Sequence, residues 1–268
     1  MAILIAGFAA HGGEIVDSAS SDFLQSMAPR PVFIPGKREV TYDDCFPPHD
    51  NARQGDVVVS QLEIYDSRHA RIVPYRTTST VTDVSPFALG ERFGIRTTSE
   101  VRAEVGYVHV ASSSSEDARL RGTWILLTTM HLPGGTSTSA RTRYLPVHVG
   151  NLSTGHETTI YKPGQCIRNI YRVRHEVHNA ASTKEDMLTE TITFLGVEER
   201  SKVAGREFPY ACVFRQELHM NGSRSGVYDL YFHKYGALKT VEYDPAAPRP
   251  LVHELLQDTA ADRGPDLR

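Results

Sequence analysis

Histidine offers the widest chemistry of any residue type in this 268-residue chain, which contains 12 of them. The tightest group is His175-Glu176-Val177-His178. Positions three apart on a strand point to opposite faces, so these two imidazoles could not readily share a zinc ion. A helical HExxH motif would need a spacing of four, and the alternating pattern around Val173 favours a strand. The sequence therefore predicts no metal site, although four other histidines could approach the pair in space: His148, His156, His219 and His233.

No combination of nucleophile and base identifies a catalytic residue. Residues 222–226, Gly-Ser-Arg-Ser-Gly, lie where a hairpin is expected, whereas a nucleophile elbow needs a strand, a sharp turn and a helix. Cys45 and His49 are close in sequence, but the carboxylates of Asp43 and Asp44 disfavour a reactive thiolate there. No phosphate-binding loop is present, because the Gly-Gly pair at 134–135 lacks a following lysine. The sequence predicts no catalytic residue and no cofactor.

The three cysteines, Cys45, Cys166 and Cys212, are too far apart in sequence for a CxxC zinc or redox site. In an exported chain they would give one disulfide and one thiol. In a cytosolic chain all three would be buried thiols. We predict Cys166–Cys212 as the disulfide pair, because both residues lie in the second half of the chain.

Aromatic residues are concentrated in the second half of the chain. Their commonest role is to fill a core beneath a curved sheet. A sharper interpretation is an apolar cleft that accepts a lipid or an acyl chain. The candidate ligand-binding residues on that interpretation are Tyr171, Phe194, Phe214, Tyr228, Tyr231 and Phe232.

Charge and hydropathy exclude some partners and leave the compartment open. The net charge is −3 and no basic stripe is present, which argues against nucleic acid as a partner. No apolar run reaches the roughly 18 residues of a membrane span. Residues 2–10 resemble the apolar core of a secretory signal, but no Lys or Arg precedes them, and a buried first strand is the alternative. We predict a periplasmic or otherwise exported protein, with a cytoplasmic one as the alternative.

Strand patterns dominate the chain and recur within it. Residues 57–65 and 170–177 alternate with the period of two expected of strands that have one wet face. Residues 89–93, Leu-Gly-Glu-Arg-Phe, are echoed by Ala-Gly-Arg-Glu-Phe at 204–208. These echoes predict an internal duplication. The predicted fold is all-β, with curved antiparallel sheets in two similar halves, half-barrel-like, and very little helix.

The predicted organisation has five parts. They are a lead-in and signal remnant (1–29), a first β-half (30–132), a linker (133–143), a second β-half (144–245) and a tail (246–268). Short helices are expected at 22–27 and 252–261. Residues 111–119, with four consecutive serines, are predicted as a polar loop, and Asn221-Gly222 as a hairpin turn.

One stretch carries a family resemblance. Residues 202–213 read Lys-Val-Ala-Gly-Arg-Glu-Phe-Pro-Tyr-Ala-Cys-Val, and residues 231–240 read Tyr-Phe-His-Lys-Tyr-Gly-Ala-Leu-Lys-Thr. Both resemble phrases of uncharacterised bacterial cell-envelope proteins. Glu207 and His233-Lys234 depart from that pattern. The resemblance implies the curved antiparallel half-barrel of periplasmic lipoprotein carriers, and it implies no active-site residue.

These observations predict a non-enzymatic envelope protein that binds or shields an apolar small molecule or lipid, or serves as a scaffold. A metal-dependent hydrolase with a histidine-lined cleft is one alternative. A cytoplasmic interaction module is the other.

Overall fold

The computed structural model describes residues 35–36, 38–45, 53–89, 92–104, 111–116, 124–131, 137–149, 160–177, 183–234 and 236–259. Within these ranges it contains one short helix and twelve strands. The helix α1 is Tyr42–Cys45. The strands are β1 (Val57–Asp66), β2 (Arg71–Leu89), β3 (Arg92–Glu104), β4 (Ala111–Glu116), β5 (Trp124–His131), β6 (Ser137–Val149), β7 (Cys166–Val177), β8 (Thr183–Val203), β9 (Arg206–Met220), β10 (Ser223–His233), β11 (Gly236–Glu242) and β12 (Leu251–Asp258).

The strands form a single antiparallel meander. Each strand pairs with its neighbours in sequence, and β12 also pairs with β1, so the order of hydrogen-bonded neighbours returns to its start. The predicted turn at Asn221-Gly222 is confirmed, since both residues have positive φ, 51° and 82°, between β9 and β10. Such a conformation suits Asn and Gly and matches the twist of the flanking strands. The prediction of a mainly β, antiparallel fold with very little helix is confirmed.

Several predicted loops are strands in the structure. Residues 137–143 of the predicted linker belong to β6, which pairs with β5 and β7. The serine run at 111–116 forms β4, between β3 and β5. Serine has little intrinsic preference for strands, so the two paired neighbours decide its conformation here. The predicted linker therefore does not separate two sheets.

The helix predicted at 252–261 is wrong over the residues that the structure describes. Residues 251–258 form β12, with Leu251 and His253 buried and Val252 between them only partly buried. The stretch pairs with β11 on one side and β1 on the other. Two rows of backbone hydrogen bonds outweigh its amphipathic helical pattern. The expected helix at 22–27 and the signal-like residues 2–10 lie outside the described residues.

The echoed strands correspond to defined elements. Residues 57–65 and 170–177 lie in β1 and β7, and the matched stretches 79–84 and 190–195 lie in β2 and β8. Both pairs are six strands apart. The matched stretches 123–127 and 227–232 fall, over the described residues, in β5 and β10, five strands apart. The internal duplication and the domain boundaries based on it stay predictions.

Along β7, and along β8 as far as Phe194, one side of the sheet is more enclosed than the other, whereas on β9 both sides are buried. Along β7, Tyr171 and Val173 are buried whereas Arg168 and Arg172 are exposed. Tyr171 pairs with Leu188 of β8, and farther along β8 Phe194 pairs with Phe214 of β9. Alternate residues of a strand share a side, so all four side chains lie on one side of the sheet. We call this side the enclosed face, and the side that carries Arg215 the opposite face.

The predicted disulfide Cys166–Cys212 is wrong, because Cys212 is bonded to Cys45, with a Cα–Cα distance of 5.5 Å. Cys166 lies on β7 and Cys212 on β9, with β8 between them. Two strand spacings amount to about 9.6 Å, beyond the reach of a disulfide. The Cys45–Cys212 bond fixes α1 to the enclosed face of β9. Cys166 remains a thiol, and burial raises its pKa.

Candidate functional site

Three of the predicted ligand-binding residues form the centre of the hydrophobic core. Phe194 and Phe214 are 1% and 0% exposed, and their rings lie 5.1 Å apart. Phe232 packs 6.1 Å from Phe214. Val40 and Cys45 of the segment before β1 belong to the same cluster. These three rings therefore stabilise the sheet beneath α1.

The other three predicted residues lie in different places. Tyr231 is on the opposite face, where the Lys239 ammonium lies 4.0 Å from its ring centroid. Tyr228 is half-buried on the enclosed face, where it packs against the margin of the cluster that contains Phe194, Phe214 and Phe232. Tyr171 belongs to a separate cluster with Tyr144, and their rings meet edge to face at 6.3 Å. The structure does not gather the six predicted residues into one site.

A buried carboxyl group, that of Glu190, borders the Tyr171 cluster on β8, between Leu188 of this cluster and Ile192 of the Phe194 cluster. Glu190 is 4% exposed on the enclosed face of β8. Asn169 of β7 is directly opposite on one side and Leu218 of β9 on the other. Asn169 Nδ2 donates to Glu190 Oε2 at 2.7 Å, and Gln216 Nε2 donates to Oε1. Each carboxyl oxygen therefore accepts one amide hydrogen bond.

Apolar side chains enclose this hydrogen-bonded group. They form a cluster with Leu218 and Met220 at its margin and four buried members, Tyr144, Tyr171, Val173 and Leu188. Strand pairing brings these members together, since Tyr144 is opposite Val173 and Tyr171 is opposite Leu188. We call this cluster together with Asn169, Glu190 and Gln216 the Glu190 site.

The Glu190 carboxyl is buried without a neighbouring cation among the described residues. Burial raises the pKa of Glu190, while the hydrogen bonds from Asn169 and Gln216 act in the opposite direction. Glu190 forms no ion pair with any residue that the structure describes. Burial and the Glu190 charge raise the pKa values of Tyr144 and Tyr171. A buried acid with a shifted pKa, in an otherwise apolar surrounding, is a recognised mark of a functional site.

A second polar group lies farther along the enclosed face. His253 Nε2 of β12 lies 3.3 Å from Glu242 Oε2 of β11. Burial, together with the charge of Glu242, raises the pKa of Tyr228 to about 12, and that of Tyr75 is raised for the same two reasons. Three strand spacings separate β8 from β11, so the backbones that carry Glu190 and Glu242 are about 14 Å apart. The two polar groups are therefore separate.

The histidines do not assemble into a metal centre in the described part of the chain, where no group of three or more metal-binding side chains occurs. His175 lies 3.1 Å from the Thr142 hydroxyl and 3.8 Å from the Asp186 carboxylate. His148 is exposed. His156 and His178 lie outside the described residues.

His233 is a core residue. It is 1% exposed, and its ring packs in a tilted arrangement against the rings of Tyr210 at 4.8 Å and Phe208 at 5.7 Å. Burial, with the nearby charges of Lys234 and Arg38, lowers the pKa of His233 to about 4. It is therefore a neutral imidazole at neutral pH.

Glu190 has a signal in the sequence that a search for catalytic and metal-binding motifs does not detect. Leu188, Glu190, Ile192 and Phe194 occupy alternate positions of one strand. A charged residue at one of the alternate positions that are otherwise apolar faces the core. It must be buried with hydrogen-bonding partners or serve a function. Asn169 and Gln216 gave no comparable signal, because their contact with Glu190 depends on the register of three strands.

A scan against protein-family models found no match, and comparisons with curated proteins and with solved structures found none either. The resemblance to cell-envelope proteins therefore stays a prediction. Among the residues described, there is no helix with the length and apolar character needed to cross a membrane.

Proposed function

We propose that the protein is a non-enzymatic binding protein that holds the apolar part of a small molecule or lipid at the Glu190 site. The observation that carries the proposal is a buried carboxyl set among two tyrosines and aliphatic side chains on the enclosed face. A few convergent polar groups in an apolar surrounding are typical of small-molecule sites. The polar groups orient a ligand and the apolar surface supplies affinity.

The cost of burying Glu190 supports a functional interpretation. A carboxylate removed from water without a cation lowers the stability of the fold. An apolar residue at position 190 would continue the pattern of Leu188 and Ile192 without that cost. The carboxyl is therefore better explained by recognition than by stability.

We further propose that the protein acts in an oxidising compartment, the periplasm or the exterior. The Cys45–Cys212 disulfide supports this, since such bonds persist where thiols are not kept reduced. Thiol titration of protein isolated from its native cells under trapping conditions tests this. One titratable thiol per denatured chain is expected, whereas three would contradict an oxidising compartment. The signal remnant, the internal duplication and the likeness to lipoprotein carriers remain parts of this proposal.

Binding can be tested with Nile red, a neutral dye that fluoresces in apolar surroundings. We expect one saturable site on the purified protein. Leu188→Trp adds bulk to the enclosed face and should weaken dye binding by about tenfold. Met187→Trp is the matched control, because Met187 is the preceding residue, is 40% exposed and points to the other side. It should bind the dye like the wild type.

Thermal unfolding of both variants separates blocked binding from loss of the fold. Tyr171→Leu is a second variant that changes the shape of the site without adding volume. Absence of saturable dye binding to the wild-type protein, or equal binding by both tryptophan variants, would contradict the proposal. The hydrolase alternative stays a prediction, which metal analysis of the purified protein tests.

A further inference from the structure

The geometry points to a ligand class: an amphipathic amine, whose ammonium group binds the Glu190 carboxylate while its apolar chain lies against Tyr144, Tyr171 and Leu188. This inference rests on the proposed function and adds the chemistry of the ligand's head group. It follows from how the acceptor positions, the charges and the aromatic rings of the site are arranged.

The hydrogen bonds from the described residues occupy only part of the acceptor capacity of Glu190. An ionised carboxylate has about four acceptor positions on its two oxygens. The amides of Asn169 and Gln216 take one position on each oxygen. Both protein partners act as donors, which suits the ionised form of Glu190. The remaining positions can accept N–H groups from a ligand.

The charge of Glu190 is uncompensated within the described chain. Three other carboxylates each lie within ion-pair distance of a basic side chain: Asp229 near Arg215, Asp186 near Lys184, and Glu63 near Arg249. No such partner lies beside Glu190 among the described residues. A cationic ligand would supply the missing charge, whereas an anionic head group would add a second negative charge to a buried one.

The tyrosines favour the same class of ligand. Aromatic rings attract cations through their electron-rich faces, and the attraction grows when water is excluded. Tyr144 and Tyr171 are 9% and 7% exposed, and both respond to the charge of Glu190. A carboxylate with adjacent buried aromatic rings is therefore complementary to an ammonium group with an alkyl chain.

Three probes with the same chain isolate the head group: dodecylamine, dodecanol and dodecanoate. Their competition with Nile red is measured at neutral pH and below the concentration at which each probe aggregates. We expect the amine to bind about tenfold more tightly than the alcohol, because a charge-assisted hydrogen bond is stronger than a neutral one. Dodecanoate should bind most weakly.

Glu190→Gln should reduce the amine-to-alcohol affinity ratio to about one. Glu190→Asp keeps the charge on a shorter side chain and should retain a ratio above one. Glu185→Gln is the control, since Glu185 lies on the same strand with its side chain 51% exposed. It should leave the ratio unchanged. Circular dichroism of each variant checks that the fold is retained.

The outcomes separate the two levels of the proposal. Equal binding of amine and alcohol, tighter binding of dodecanoate, or an unchanged ratio in Glu190→Gln would overturn the assignment of an amine while leaving an apolar ligand in place. Failure of all three probes to displace the dye would place the dye elsewhere and overturn the proposed function itself.

Discussion

Two buried carboxylates on opposite faces of the same sheet are satisfied in different ways. On the opposite face, Arg215 donates to Asp229 from Nε at 2.8 Å and from a terminal nitrogen at 3.0 Å, and the Tyr243 hydroxyl donates at 2.6 Å. On the enclosed face, Glu190 receives two amide hydrogen bonds from the residues that the structure describes. Asp229 is 0% exposed and Glu190 4% exposed, so burial does not distinguish them.

The difference between them lies in their partners. Asp229 has a bidentate guanidinium partner and a phenol, which together satisfy its charge and most of its acceptor positions. Among the described residues, Glu190 has neutral partners, and these fill two of its roughly four acceptor positions. The Asp229 carboxylate finds its cation and its donors within the fold, whereas the Glu190 carboxylate would gain a cation from a bound molecule. This contrast gives the two carboxylates different expected roles, stability and recognition.

The largest effect is expected from breaking the complete pair. Asp229→Ala leaves the Arg215 guanidinium buried without its carboxylate and should lower the free energy of unfolding by about 3–5 kcal/mol. Urea unfolding followed by fluorescence measures the loss. The double variant Arg215→Met, Asp229→Leu should recover most of it, because no charge is then buried alone. A loss below about 1 kcal/mol in the single variant would contradict the structural role.

Removal of the Tyr243 hydroxyl should destabilise the protein less than removal of the Asp229 carboxylate. Tyr243→Phe deletes one hydrogen bond to a charged acceptor and keeps the ring, so a loss of about 1.5–3 kcal/mol is expected. Burial and the bond to Asp229 raise the pKa of Tyr243, which keeps the hydroxyl protonated as a donor up to high pH. Urea unfolding at neutral pH is again the measurement. The same substitution made in the double variant should have little effect, since Asp229 is then absent.

The ionisation of Glu190 should make the free energy of unfolding depend on pH. The sign of this dependence should be opposite to that of an acid whose pKa is lowered by a salt bridge. The pKa of Glu190 is raised in the folded state, so its stabilising contribution is complete below the unfolded pKa and is lost as pH rises through the folded pKa. The wild type should therefore lose stability relative to Glu190→Gln as pH rises above about 4.5, the ordinary value for glutamate, and through the folded pKa.

Unfolding free energies of both proteins across that pH range test this sign. Glu185→Gln provides the matched comparison, because Glu185 lies on the same strand and its side chain is 51% exposed. A wild type that gains stability over Glu190→Gln as pH rises would show that folding favours the carboxylate form of Glu190, which would contradict the expected sign.

The strands that form these two groups could largely be predicted from sequence. Alternation identified β7, and Asn221-Gly222 identified the turn between β9 and β10. These signals are local, because a strand's pattern and a turn's φ values depend on adjacent residues. Glu190 also had a local signal, its place in the apolar phase of β8, so it could have been predicted as a buried acid.

The partners of these residues could not be predicted in the same way. Cys45 and Cys212 are separated by 167 positions, and their contact depends on where α1 packs on β9. The pairing of β12 with β1 likewise joins the two ends of the meander and turned an expected helix into a strand. The alternating pattern within one strand does not predict its register with a strand that is distant in sequence. That register decides which polar side chains come into contact.

An exposed ion pair completes the comparison and should have the smallest effect. Arg249 and Glu63 lie 2.7 Å apart, with the Arg249 side chain 51% exposed. The hydrogen bond from Arg249 is the main cause of the lowered pKa of Glu63. Because water and salt screen the pair, Arg249→Ala should cost less than about 1 kcal/mol in urea unfolding, and high salt should reduce that difference further. If Arg249→Ala costs as much as Asp229→Ala, burial of the charges is not the cause of the large effect predicted for Asp229→Ala. Ion pairing alone would then account for it.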